Sequence, residues 1–180
     1  MSTLTLRPAR ADDMATVADI WHRGWHVGHA GHVPDGLTAA RTLEGFRERT
    51  PARVADTTVA ELDGRLVGFI MIDADEVEQV FVDPDHHGSG VAAPLLAEAE
   101  RRVAAAGYAE AWLAVVVGNA RARRFYEKHG WRDAGDLAYE VTAGGATYVS
   151  PCRRYVKTLH DDRASTAGTS DPGGRTSPGT

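Results

Sequence analysis

Between Glu78 and Ala92 the chain reads Glu-Gln-Val-Phe-Val-Asp-Pro-Asp-His-His-Gly-Ser-Gly-Val-Ala. An apolar, β-branched run stops at Pro84, crosses a turn marked by Gly88 and Gly90, and enters an amphipathic segment. That order is strand, tight loop, helix. Such a junction aims unpaired backbone N–H groups and the positive end of a helix dipole at one point, which is chemistry suited to a phosphate. A second segment, Asn119 to Trp131, places an asparagine able to cap a helix ahead of Arg121, Arg123, Arg124, Phe125 and Tyr126. Cys152 follows Pro151 and has no recognisable base partner, which argues against a nucleophile. The adjacent pair His86-His87 does not suit a metal, because neighbouring residues on a turn rarely face one ion and no further ligand sits at a known spacing.

These residues need a scaffold, and the rest of the chain bounds it. The 180 residues suffice for one domain with a full core, and 43% hydrophobic with 25% charged residues is ordinary for a globular chain. We place the domain at residues 1–160. From Asp161 onward the sequence lacks large apolar side chains, so residues 161–180 are expected to form a disordered tail. A formal net charge of -5 gives no electrostatic case for nucleic acid. No apolar stretch is long enough to cross a bilayer, no secretory signal opens the chain, and a lone cysteine cannot form an internal disulfide. The expected compartment is the cytoplasm.

Leu4 to Arg7 alternates as a strand, and Met14, Val17, Ala18, Trp21 and Trp25 recur at helical spacing. Residues 26–38, rich in Gly and His, read as a loop, and 39–49 as a second helix. Two β-rich runs, 57–62 and 65–72, flank Asp63-Gly64, a strong hairpin signal. A strand over 77–82 follows. Val91, Leu95, Ala99 and Val103 then form a helical stripe ended by Gly107; Pro94 predicts a late or bent start to this helix. Residues 111–117 are nearly all apolar, as in a strand covered on both faces. A helix opening at Asn119 and two strands around Gly144-Gly145 complete an α/β arrangement of one mixed sheet with helices on its faces.

The two motifs together resemble those of the GNAT-superfamily N-acetyltransferases. His87-Gly88-Ser89-Gly90-Val91-Ala92 follows the family's glycine-spaced pattern, with His87 where Arg or Gln is usual. Asn119-Ala120-Arg121-Ala122-Arg123-Arg124-Phe125-Tyr126-Glu127-Lys128-His129-Gly130-Trp131 follows the second pattern at every characteristic position. The resemblance implies a mostly antiparallel central sheet with splayed central strands. It also implies acetyl-CoA as co-substrate with no metal, its pyrophosphate cradled by the backbone of His87, Gly88, Ser89, Gly90, Val91, Ala92 and Ala93. The pantetheine arm would run along Val80, Phe81 and Val82 toward Asn119 and Tyr126.

The implied reaction is direct transfer of acetyl to a primary amine, without an acyl-enzyme, with Glu78 as general base and Tyr126 as general acid toward the leaving thiolate. Strand alternation places Glu78, Val80 and Val82 on one face and Gln79 and Phe81 on the other, unless a bulge intervenes. Trp25, His26 and His29 are candidates for acceptor binding, with His26 and His29 as rival bases. The acceptor is a small-molecule or peptide amine. A non-catalytic acetyl-CoA sensor and a transferase for a longer acyl-CoA stay open, as does a homodimer.

Overall fold

The computed structural model describes residues 1–159; the expected disordered tail lies outside them. The strands are β1 (Leu4–Pro8), β2 (Thr57–Leu62), β3 (Arg65–Asp73), β4 (Glu76–Val82), β5 (Glu110–Val116), β6 (Arg132–Ala143) and β7 (Ala146–Thr158). The helices are α1 (Met14–His29), α2 (Asp35–Ala40), α3 (Leu43–Arg49), α4 (Ala92–Ala105) and α5 (Ala120–Lys128). The strands form a seven-stranded sheet in the order β1-β2-β3-β4-β5-β7-β6. Every neighbouring pair is antiparallel except β4–β5. No helix among the described residues is long and apolar enough to cross a membrane.

Helices cover both faces. On one, Trp21 and Trp25 of α1, Leu37 of α2 and Phe46 of α3 pack against Phe69 and Met71. On the other, Leu95, Leu96 and Val103 of α4 pack with Ile70, Val77 and Leu113, and Phe125 and Tyr126 of α5 join them. Gly24 permits the close approach of α1 to β4, since a Cβ there would stand 2.6 Å from the Phe81 ring.

The region read as a loop is more helical than expected. α1 continues to His29 and α2 occupies Asp35–Ala40, while the anticipated second helix begins only at Leu43. Thr42 resets the chain: its side chain accepts the Gly45 N–H at 3.1 Å, an N-cap that separates α2 from α3 and leaves Arg41 on the link between them. Pro94 does not delay α4, which begins at Ala92. It is the third residue of the helix, where the missing N–H would have had no intrahelical partner. β5 is not uniformly covered either: Ala111, Leu113 and Val115 are buried, whereas Trp112 and Ala114 are only partly so.

The feature that matters most is a gap. β4 and β5 share a ladder only at Glu76↔Trp112, after which they diverge. β5 is instead paired with β7 along its length, from Glu110↔Thr158 to Val116↔Cys152. In the other direction β4 pairs with β3, but Met71↔Gln79 is followed by Ile72↔Val77, so Glu78 bulges out of the ladder. The alternation expected along β4 is therefore broken. Val77, Val80 and Val82 face the α4 layer together, and Glu78 leaves that face.

A candidate active site in the cleft between β4 and β5

The turn after β4 is anchored from beneath. Buried Asp83 accepts the Asp85 N–H at 3.0 Å and Arg23 Nη2 of α1 at 2.7 Å, fastening the short 3-10 turn Pro84–His86 to the first helix. His87, Gly88, Ser89 and Gly90 then run exposed into α4. Gly88 and Gly90 have φ of 81° and 82°. Ser89 N–H turns back to His86 O at 3.2 Å, but the N–H groups of Gly88, Gly90 and Val91 have no acceptor among the described residues. A methyl group at Gly90 would meet nothing within 4 Å, so the cost of Gly90→Ala is backbone strain alone. Thermal denaturation of that variant should show a loss of about 1–2 kcal/mol, accompanied by weaker acetyl-CoA binding in titration.

His87 holds this turn to α5. Its Nδ1 lies 2.8 Å from Arg121 Nη1 and its Nε2 lies 3.2 Å from Val82 O. A guanidinium can only donate, so Nδ1 accepts and Nε2 carries the proton. Burial and the Arg121 charge lower the imidazole's proton affinity and keep it neutral. Arg121, exposed on α5, is thus a cation beside the glycine turn. Asn119 caps α5, its Oδ1 accepting the Ala122 N–H at 3.1 Å.

Where the strands part, a cavity of about 160 Å³ is lined by Val80 and Phe81 of β4, by Ala114 and Val116 of β5, and by Asn119 and Tyr126 at α5. Glu76, Glu78, Tyr139 and Cys152 line it as well. Trp25 and His29 also face it. His26 does not: its Nδ1 is 2.8 Å from His22 O, along the helix. Val82 lies outside the cavity wall, where its carbonyl receives His87.

The two glutamates of β4 are in different surroundings. Glu78 Oε2 lies 2.6 Å from Arg53 Nη1, an ion pair in which both side chains are mostly covered. The Arg53 guanidinium therefore occupies this carboxylate oxygen. Glu76, which resembles a plain strand-end residue in the sequence, accepts the Tyr139 hydroxyl at 2.8 Å. Burial raises its pKa, and its charged neighbours are all carboxylates, Glu78, Asp73 and Asp75. Nothing in the local sequence marks Glu76 as special, because its partner Tyr139 comes from the distant β6.

Tyr126 packs edge-on against Trp131, with ring centroids 6.1 Å apart, and near Tyr155 at 6.3 Å. Burial pushes its phenol up, so the hydroxyl stays protonated. Cys152 is buried 3.7 Å from Ser150 Oγ, and burial pushes its thiol up, the reverse of what a nucleophile requires. His29 donates from Nδ1 to Trp25 O at 2.9 Å and stacks on that indole. Burial pushes its pKa down to about 4. The unfolded chain then binds the extra proton first as pH falls. The stabilisation is complete above about pH 6.5 and is lost toward pH 4, with a slope of about 1.4 kcal/mol per pH unit. Denaturant melts of wild type and His29→Gln across that window should differ in slope by about this amount. Among the described residues no group of His, Cys, Asp and Glu is arranged to hold a metal ion.

Comparison with known proteins agrees with this architecture. The family described as Acetyltransferase (GNAT) matches residues 16–131. Uncharacterized N-acetyltransferases of Mycobacterium bovis and Mycobacterium tuberculosis are each 34% identical over 119 residues, covering 63% of this chain and 74% of theirs. A GCN5-related N-acetyltransferase from Rhodopseudomonas palustris superposes with a TM-score of 0.73 at 24% identity, over 88% of this chain and 98% of its own. A PaiA N-acetyltransferase from Thermoplasma acidophilum, solved with coenzyme A, gives 0.66 at 20% identity, over 87% and 99%. The splayed sheet, the glycine turn and the matched sequence place the chain in the GNAT acetyltransferase family, as an acetyl-CoA-dependent acyltransferase.

Proposed function

We propose that this protein moves the acetyl group of acetyl-CoA directly to a primary amine bound in the cleft between β4 and β5. The observation that carries the reading is the divergence of β4 from β5 beyond Glu76↔Trp112, alongside the exposed turn at Gly88 and Gly90. In this reading the free N–H groups of Gly88, Gly90 and Val91, at the start of α4, hold the pyrophosphate, with Arg121 as a nearby cation. The backbone of Gln79–Val82 on the side facing the gap receives the pantetheine arm, since β5 does not pair there. When bound, acetyl-CoA supplies a thioester whose carbonyl an amine can attack.

Tyr126 then acts as the acid toward the departing sulfur, being protonated and in the cavity wall. In this reading the base is Glu76 rather than Glu78, because the Glu78 carboxylate is occupied by Arg53 while Glu76 is desolvated and has no cation beside it. The Tyr139 hydroxyl fixes the orientation of the Glu76 carboxylate. Two polar side chains, Glu76 and Tyr139, line the cavity, which disfavours a long alkyl acyl chain. Transfer is tested by following CoA release across a panel of amines. Turnover of at least one amine is expected; acetyl-CoA binding with no turnover would leave a metabolite sensor instead.

A further inference from the structure

Among the described residues Arg41 is the only lysine or arginine that lines the cavity, and the transfer reaction does not use it. It sits on the link between α2 and α3 and lines the cleft. Its backbone N–H bonds to Leu37 O and Thr38 O, but its side chain has no hydrogen-bond or ionic partner among the described residues, and its Nε is buried without an acceptor. The guanidinium lies 5.8 Å from the centre of the Trp25 ring. Burial lowers its pKa from the usual arginine value, and its charge helps keep His29 neutral. A desolvated guanidinium with unused donors is costly unless something compensates it.

The ionisable groups of the cavity wall include His29, Arg41, Glu76 and Glu78. Glu78 is matched by Arg53. His29 is neutral near pH 7. What remains is one cation, Arg41, and one carboxylate, Glu76, which has a hydroxyl neighbour but no cation. The two are not paired with each other, yet they line the same small space. An occupant with the reverse arrangement, an ammonium and an anionic oxygen group, would complete both.

We infer that the acceptor is an amino-acid-like zwitterion, a primary amine carrying a carboxylate or similar oxyanion, with Arg41 holding the anion and Glu76 facing the amine. This rests on the transferase reading above and narrows its acceptor. A fork of parallel N–H donors matches a carboxylate in two-point contact, which a plain amine or a carboxamide cannot use in the same way. The ammonium, once beside Glu76, is placed to lose its proton to that carboxylate. Trp25 and neutral His29, stacked with ring centroids 4.7 Å apart, wall the cavity beside Arg41.

The test uses the full chain loaded with CoA. Common amino acids, β-alanine and γ-aminobutyrate are each titrated beside the matching carboxamide and decarboxylated amine, and the same sets are assayed for CoA release with acetyl-CoA. At least one amino acid should bind about 30-fold or more tightly than its carboxamide, the lower end of the cost of losing one side of a desolvated charge pair. Arg41→Gln should collapse that ratio to within about threefold, and Arg41→Lys should keep part of it, because the charge survives without the fork. A melting curve for each variant checks that the fold persists. Equal binding of acid and carboxamide, or a preference that survives Arg41→Gln, overturns the inference while leaving the transferase reading in place. Binding of an amino acid that depends on Arg41, without turnover, upholds the inference and removes the transferase reading. Binding of neither set overturns the inference.

Discussion

Tyr126→Phe should lower kcat by about 10²- to 10³-fold and leave acetyl-CoA affinity nearly unchanged, the range expected when a positioned proton donor is lost. The substitution removes only the hydroxyl. The ring keeps its packing against Trp131 and Tyr155, so α5 and its Asn119 cap should stay in place. Burial raises the phenol above its ordinary value, which guarantees a proton on the oxygen. It also makes Tyr126 a weaker acid than a free thiol, whose usual value is about 8.5. The hydroxyl therefore contributes mainly by hydrogen bonding to the developing thiolate, with full transfer favoured only as the closed cleft raises the sulfur's proton affinity too. Steady-state kinetics with a parallel calorimetric titration separates the two quantities. A variant with unchanged kcat would remove Tyr126 from the reaction.

Glu76→Gln should be as damaging, about 10²-fold or more in kcat/KM. Its amide oxygen can still accept the Tyr139 hydroxyl, so the local structure is retained while the proton acceptor is lost. The pH profile gives the sign. A carboxylate whose pKa is raised by burial becomes active only as pH climbs above the ordinary carboxylate value, so the acidic limb of kcat/KM should lie above about 4.5 in wild type and vanish in Glu76→Gln. Glu78→Gln should retain that limb, because Glu78 is already compensated by Arg53. If the limb instead follows Glu78, the roles drawn from the sequence are right and the ion pair must open during turnover.

The sequence was most informative where local chemistry decides the outcome. Asp63-Gly64 forms the hairpin, with both residues at positive φ. Asn119 caps α5, and Gly88 and Gly90 adopt left-handed φ between β4 and α4. What stayed hidden depends on partners far along the chain. Glu76 is bonded by Tyr139, which is 63 residues away, and Glu78 is paired with Arg53, which no spacing rule connects to it. The bulge at Glu78 is likewise a property of the pairing between β3 and β4, invisible in either strand alone. Arg41 was absorbed into an uninterrupted helix; the Thr42-Leu-Glu-Gly45 capping arrangement was the readable sign that the helix breaks there.

Amide hydrogen exchange with and without acetyl-CoA tests the central claim most directly. Ligand in the parted strands should slow exchange at Gly88, Gly90 and Val91 and along Gln79–Val82, whose backbone lacks a strand partner on the β5 side. Binding without protection at either segment, or protection confined to another part of the chain, would contradict it.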